Sequence, residues 1–208
     1  MTSFTNDLVI LVADKDMEET VRGLLSRPLE LGIRSVIFRI FIHAWGHDPQ
    51  CLNNAHAFLQ PSIGRYARAL VMLDRHGSGQ ESKSRERLEK TLTKKLSRSG
   101  WKNRAAAIVI DPELEQWVWT NCEEVATCLG WPNAYDGMRN FLQGQHLWPA
   151  HEVKPSDPKE AYLKAIRASR TKISSKNFYK LGERVAFDGC IDQAFMKFRA
   201  TLQSWFPA

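Results

Sequence analysis

Three groups of acidic residues each follow a short apolar run. Asp14 and Asp16 stand in Ala-Asp-Lys-Asp after Leu8–Ala13, and Asp74 stands in Leu-Asp-Arg-His-Gly-Ser-Gly after Ala69–Leu73. Asp111, Glu113 and Glu115 stand in Ile-Asp-Pro-Glu-Leu-Glu-Gln-Trp after Ala106–Ile110. Clustered carboxylates suit Mg²⁺ or Mn²⁺, which prefer oxygen ligands and keep several waters. Such ions can align an attacking water and a leaving oxygen in phosphodiester cleavage. Each acid also has a structural use. Asp14 or Asp16 can cap a helix, Asp74 suits a turn before Gly77 and Gly79, and Asp111 before Pro112 can cap a helix with Pro at its first position. Recurrence at three run ends is what singles the group out.

The charge pattern frames these acids. The 208 residues carry 29 Lys and Arg against 23 Asp and Glu, net +6, unevenly spread. Residues 1–80 are balanced at 8 basic and 8 acidic, and 81–104 hold 9 and 3. Residues 105–151 hold 1 and 6, and 152–208 hold 11 and 6. An acidic block between two basic ones is what a polyanion approaching a carboxylate site needs, and it is also what solvated helix faces of differing sign would give.

The elements that must position the acids are legible as alternation. Leu8–Ala13, Ser35–Ile42, Ala69–Leu73 and Ala106–Ile110 are almost wholly apolar, as in parallel strands buried on both faces. Helical periodicity lies between them. Met17–Leu31 sets Val21, Leu24, Leu25 and Leu29 on one stripe; Pro49–Tyr66 sets Leu52, Ala55, Leu59 and Ile63 together; Ser84–Ser97 spaces Leu88, Leu92 and Leu96 by four. This predicts an α/β fold, a mostly parallel sheet of about four strands flanked by helices. Beyond residue 111 the pattern predicts helices only, over Pro112–Cys128, Asn133–Gln145, from Ser156-Asp157-Pro158, over Ser175–Ala186 and over Ile191–Trp205. The expected division is an α/β core over 1–130 and a helical C-terminal region, 131–208, packed on it.

In open α/β sheets chemistry gathers beyond the carboxyl ends of the strands, where all three acidic groups fall. The succession ILVADKDME, then LDRHGSG, then GW…AAIVIDPELEQWVW, and finally FMKFRATLQSWF resembles the small Toprim-like proteins of bacteria, and among them a component of the methylation-associated defence system. The resemblance covers most of the chain and implies a Toprim-like core, a role in antiviral defence and a metal-dependent nuclease activity on DNA or RNA. Carried across by residue, Asp14 or Asp16 replaces the first acid, Asp74 is the first Asp of Asp-x-Asp, and Glu113 and Glu115 form the Glu-x-Glu pair. Asp14, Asp74, Glu113 and Glu115 are then the expected metal ligands, with Asp16 and His76 also in the catalytic set. Two departures stand out: His76 occupies the place of the second Asp, and Asp-Lys the place of Glu-Gly. His is a poorer Mg²⁺ ligand than Asp. The resemblance therefore also allows a catalytically inactive adaptor that binds other defence-system proteins.

The basic segment Lys83–Arg104 offers Lys83, Arg87, Lys90 and Lys94 as phosphate-backbone contacts of sequence-independent type. A solvated helix face with a Glu86/Lys90 pair is the alternative. Arg167, Arg170, Lys172, Lys176 and Lys180 pose the same choice. His43, His47, Cys51 and His56 suggest a zinc site only if their stretch is helical, and Gly46 and Pro49 are expected to interrupt it. His76-Gly77-Ser78-Gly79 lacks the Lys of a nucleotide-binding loop and reads as a flexible turn. The tryptophans read as core or interface anchors. Cys51, Cys122, Cys128 and Cys190 include no C-x-x-C, which with the absence of an export signal or a run of ~18 to 20 apolar residues leads to the expectation of a cytoplasmic chain with free thiols and no membrane partner.

Overall fold

The computed structural model describes residues 4–43, 47–120, 122–186 and 190–208. Four strands, β1 (Asn6–Val12), β2 (Phe38–Ile42), β3 (Tyr66–Asp74) and β4 (Ala105–Ile110), form one all-parallel sheet in the order β2-β1-β3-β4. Leu8 pairs with Phe38 on one side and Arg68 on the other, and Leu70 with Ala106. The predicted α/β class and the unbroken apolar strands are as observed. In β1, Leu8, Ile10 and Val12 enter one core layer and Val9 and Leu11 the opposite one. Strict side-chain alternation makes a continuous apolar run necessary when both faces are covered.

The helices divide between those faces. After β1 come α1 (Lys15–Leu25) and α2 (Pro28–Leu31), on the face of Leu8 and Ile10. The helices α3 (His47–Phe58) and α4 (Arg85–Leu96) cover the other, through Cys51, Leu52, Ala55, Leu88, Leu92 and Leu96. Ser84 caps α4, accepting the N–H of Arg87, whereas Glu86 pairs with Arg85 and not with Lys90. The remaining helices are α5 (Glu123–Cys128), α6 (Tyr135–Gly144), α7 (Pro158–Ala168), α8 (Ser175–Arg184) and α9 (Gln193–Trp205). They extend the layer of α1, so the apolar cluster begun by Leu8 runs on through Tyr162, Phe178 and Phe198. Among the described residues no helix is long and apolar enough to cross a membrane.

Four expectations are corrected. The helix expected over Met17–Leu31 breaks before Pro28, and Leu29 is 84% exposed instead of joining the stripe. Pro lacks the N–H that would continue the ladder. Pro49 does not interrupt α3, because it lies in the first turn, where that missing N–H has no partner to lose; Gly46 lies outside the described residues. The helix expected over Pro112–Cys128 is a short 3-10 turn, Leu114–Trp117, an irregular stretch, and then α5. The reason is that Leu114, Glu115, Trp117, Val118 and Trp119 are all buried, too continuous a set for one helix face. Trp117 Nε1 donates to Asp192 and Trp119 Nε1 to the Pro158 carbonyl, so the C-terminal helices hold the segment. Asp111, expected as a helix cap, pairs with Arg75 at 2.8 Å.

Side chains also occupy the free edge of β4. Glu89 accepts the Val109 N–H at 3.0 Å, Lys197 donates to the Ala107 carbonyl at 2.9 Å, and the two side chains pair with each other at 3.0 Å. Helices α1 and α8 cross where two glycines meet. A Cβ on Gly23 would press on the Tyr179 carbonyl and stand 2.9 Å from Glu183 N, and one on Gly182 would stand 2.7 Å from the Thr20 carbonyl. These neighbours are backbone and cannot turn aside. Gly23→Ala or Gly182→Ala should therefore lower unfolding free energy by about 1–3 kcal/mol in a urea titration. Gly64→Ala, with nothing within 4 Å, should leave it nearly unchanged.

Candidate functional site

Parallel pairing puts the carboxyl ends of all four strands along one edge of the sheet. The chain leaves β1 toward one face and β3 toward the other, so the edge opens into a crevice between these two strands. Asp14 follows β1, and Asp74 is the last residue of β3. Asp14 is half-buried, and its Oδ1 caps α1 by accepting the Met17 N–H at 2.9 Å. The structural use foreseen for it is thus realised. Asp16 stands in the first turn of α1 and hydrogen-bonds Ser175 at the start of α8.

Asp74 is the centre of the group. It is 8% exposed, and its Oδ1 is buried without a hydrogen-bond partner. Burial, followed by the charges of Asp48, Glu115 and Asp14, raises its pKa well above the ordinary carboxylate range, although the Leu114 N–H favours the ionised form. Asp48 was not singled out from the sequence. It lies in the first turn of α3, and its Oδ1 accepts the Asp74 backbone N–H at 2.7 Å, so α3 is tied directly to the end of β3. Burial raises the pKa of Asp48 as well, opposed by that N–H, with Asp14 adding to the rise. The signal was present: Asp48 is the acid that follows the second strand.

Glu113 and Glu115 approach from the 3-10 turn after β4 and are both buried. Lys159, in the first turn of α7, reaches Glu113 Oε2 at 3.2 Å and Glu115 Oε1 at 3.6 Å. Burial lifts the Glu115 pKa to about 7 despite Lys159, with Glu113 and Asp16 adding to the rise. Burial opposes charge on Lys159, but Glu115 and Glu113 more than offset it and raise its pKa. Asp16 is raised by burial, opposed by Ser175. The edge thus collects Asp14, Asp16, Asp48, Asp74, Glu113 and Glu115 with one ammonium among them.

Other expected residues fall elsewhere. His76 is exposed and acts on Glu81, which lies across its own loop. That loop is pinned and not a free turn, because Glu81 Oε1 accepts the N–H groups of Gly77 and Gly79 at 2.9 and 3.0 Å. His43 stacks on Phe58, His47 is exposed, and Cys51 is buried with its thiol pKa pushed up by burial. His56 is half-buried in α3. Among the described residues no three His, Cys, Asp or Glu side chains are gathered so as to hold a metal ion as they stand. Lys83, Arg87, Lys90 and Lys94 are exposed; the last three follow one face of α4, continued by Arg98. Lys176, Lys180 and Arg184 repeat the pattern along α8, with Lys172 exposed ahead of it. Trp101, Trp119 and Trp148 are fully buried anchors.

A buried carboxyl oxygen lacking a partner, with further carboxylates around it, fits a hard divalent cation, which would satisfy the oxygen and offset the repulsion. Comparison with protein-family models, with curated proteins and with solved structures finds no match to this chain.

The raised carboxyls predict a pH dependence in metal-free protein. A folded-state pKa above the unfolded one means that the folded chain binds more protons between the two values, so stability falls as pH rises through that window. For Glu115 the window runs from 4.5 to about 7, and for Asp74 it begins near the ordinary Asp value and extends upward. Within it each such group removes about 1.4 kcal/mol per pH unit. Melting temperature in EDTA should fall from pH 5 to pH 8. Asp74→Asn should flatten that fall and melt above wild type at pH 8, with the difference closing near pH 4. A wild-type profile that is level from pH 5 to 8 would contradict these electrostatics.

Proposed function

We propose that this chain is a divalent-metal-dependent phosphodiesterase acting on nucleic acid, with its centre at Asp74. The observation that carries the reading is the Asp74 carboxyl at the switch point of the sheet, buried, without a partner at Oδ1, and facing the charges of Asp48, Asp14 and Glu115. Asp74, with Asp14 and Asp48, would hold the cation, Mg²⁺ or Mn²⁺, while Glu113 and Glu115 complete the acidic wall. A bound ion of this kind supplies activation of water and neutralises charge developing on the phosphate. Lys159 keeps the Glu pair compensated. The exposed stripe Arg87, Lys90 and Lys94, with Lys83 ahead of it, begins where α4 leaves the loop after β3, and it gives a phosphate chain a path toward the crevice. The resemblance of ILVADKDME, LDRHGSG and DPELEQWVW to Toprim-like bacterial proteins supports the same chemistry and adds a setting in antiviral defence.

One observation favours a second reading, an adaptor without catalysis that binds other defence-system proteins. Lys159 already neutralises two of the acids, and His76, in the place of the second Asp, is exposed. The two readings part on metal. In the first, EDTA-stripped protein gains melting temperature with millimolar Mn²⁺ or Mg²⁺, and Asp74→Asn removes the gain. Cleavage of a labelled oligonucleotide falls about 100-fold or more in Asp74→Ala. Replacing Arg87, Lys90 and Lys94 by Gln flattens the salt dependence of binding by ~0.7–0.9 for each phosphate that is no longer neutralised. An unchanged melt with either ion, together with a stable stoichiometric complex with a partner protein, would select the adaptor.

A further inference from the structure

The two outer strands of the sheet are finished differently. Side chains of Glu89 and Lys197 sit on the outer backbone groups of β4. At the opposite side, β2 pairs with β1 alone. The His43 N–H donates to the Val12 carbonyl and the Ile37 carbonyl accepts from Leu8, so the odd-numbered residues of β2 turn their main-chain groups toward β1. Phe38, Ile40 and Ile42 therefore turn theirs outward. Among the described residues none of those outward groups takes a hydrogen-bond partner. The strand reads Phe-Arg-Ile-Phe-Ile, with a single charge and no proline to blunt it. Phe38, Phe41 and Ile42 are partly exposed, and Ile37 just ahead of them is 64% exposed.

The order of the side chains decides what such an edge can pair with. Laid antiparallel to a second copy with Ile40 opposite Ile40, Phe38 falls opposite Ile42 on one face and Arg39 opposite Phe41 on the other. The outward groups of Phe38, Ile40 and Ile42 then meet one another, as the hydrogen-bonded pairs of an antiparallel ladder require. Phe38 with Ile42 is an aromatic–β-branched pair, the kind that stabilises neighbouring strands. The Arg39 guanidinium already lies over the Phe41 ring of its own strand, 5.1 Å from the centroid, and meets the Phe41 ring of the second copy with the same chemistry. A register centred on Arg39 would instead set two guanidiniums opposite each other, which is destabilising. The strand is thus complementary to itself under a twofold rotation, the condition for contact between like subunits.

We propose that the outer edge of β2 is the contact between two copies of this chain, paired antiparallel about a twofold axis through Ile40. The contact is independent of the metal reading. Strands of five residues give a small interface, below the ~1,200 Å² typical of stable complexes, so the dimer forms and separates with concentration. Antiparallel pairing leaves the carboxyl ends of the two sets of strands at opposite edges of the joined sheet, so the two acidic crevices stay apart.

Sedimentation velocity from about 1 to about 100 μM chain reads the equilibrium. Wild type should pass from monomer to dimer and no further. Phe41→Lys sets a second cation opposite Arg39 and should weaken the dimer about tenfold or more, because the twofold axis repeats the clash. Phe41→Glu loses the same contact with Phe58 but offers Arg39 a carboxylate, and should dimerise within about threefold of wild type or better. Amide exchange on wild type reads the contact without any substitution. The N–H groups of Phe38, Ile40 and Ile42 should slow as concentration rises, while those of Arg39 and Phe41, already bonded to β1, should change little. Should either variant fail to fold, this exchange pattern decides. A chain that stays monomeric throughout would overturn the proposal and leave the edge to a foreign strand. Growth beyond a dimer, equal weakening by Lys and Glu, or association without slowing at those three N–H groups would overturn it as well.

Discussion

A small all-parallel sheet has two apolar faces to cover and two edges to close, and most of this chain serves that requirement. Strands so short give little area each, so their side chains are apolar on both sides, and helices must come from both directions. Two helices suffice for the face of Val9 and Leu11. The opposite face recruits α1, the segment around Trp117 and the C-terminal helices into one layer. The close approach at Gly23 and Gly182 lets α8 lie against α1, and through Ser175 it brings the start of α8 to Asp16. Packing demands thus deliver a polar contact to the mouth of the crevice.

The same geometry explains why the acids are perturbed. A residue at the end of a central strand lies under the loops of its neighbours. Asp74 is there, with α3 tied to its backbone through Asp48 and the Leu114 N–H above its side chain. Removal from water and like-charge neighbours act in the same direction, against ionisation. Glu115 feels the same removal, partly offset by Lys159. Such an arrangement is costly to keep for its own sake, and clustered, perturbed acids in a crevice are a recognised mark of function.

Much of the fold was legible because its signals are local and periodic. Four apolar runs correspond to the four strands, and the spacing of Leu88, Leu92 and Leu96 to α4. The strand order was not legible, because pairing partners are chosen by packing between distant segments. The stretch after Pro112 misled for a related reason. Its buried residues satisfy contacts to α7 and α9, and a local helical period cannot anticipate that Trp117 and Trp119 will be anchored by Asp192 and Pro158. At the candidate site, Asp14, Asp16, Asp74, Glu113 and Glu115 were visible as acids following strands. Asp48 carried the same signal, an acid after the second strand, whereas Lys159 did not, since it enters through a helix whose docking is set by the tertiary structure. His76, inferred from a family pattern, is exposed in the loop after β3.

The pairing of Glu89 and Lys197 across the outer side of β4 has a consequence for assembly. An open strand edge invites another chain to continue the sheet, whether as a bound peptide, a second copy or a growing aggregate. Here a carboxylate already holds the Val109 N–H and an ammonium the Ala107 carbonyl. An incoming strand would have to displace both and separate a partly buried ion pair to gain two main-chain bonds. Strand addition is therefore disfavoured at this flank, and a macromolecule arriving there meets charged side chains and helix surfaces in place of a vacant backbone ladder.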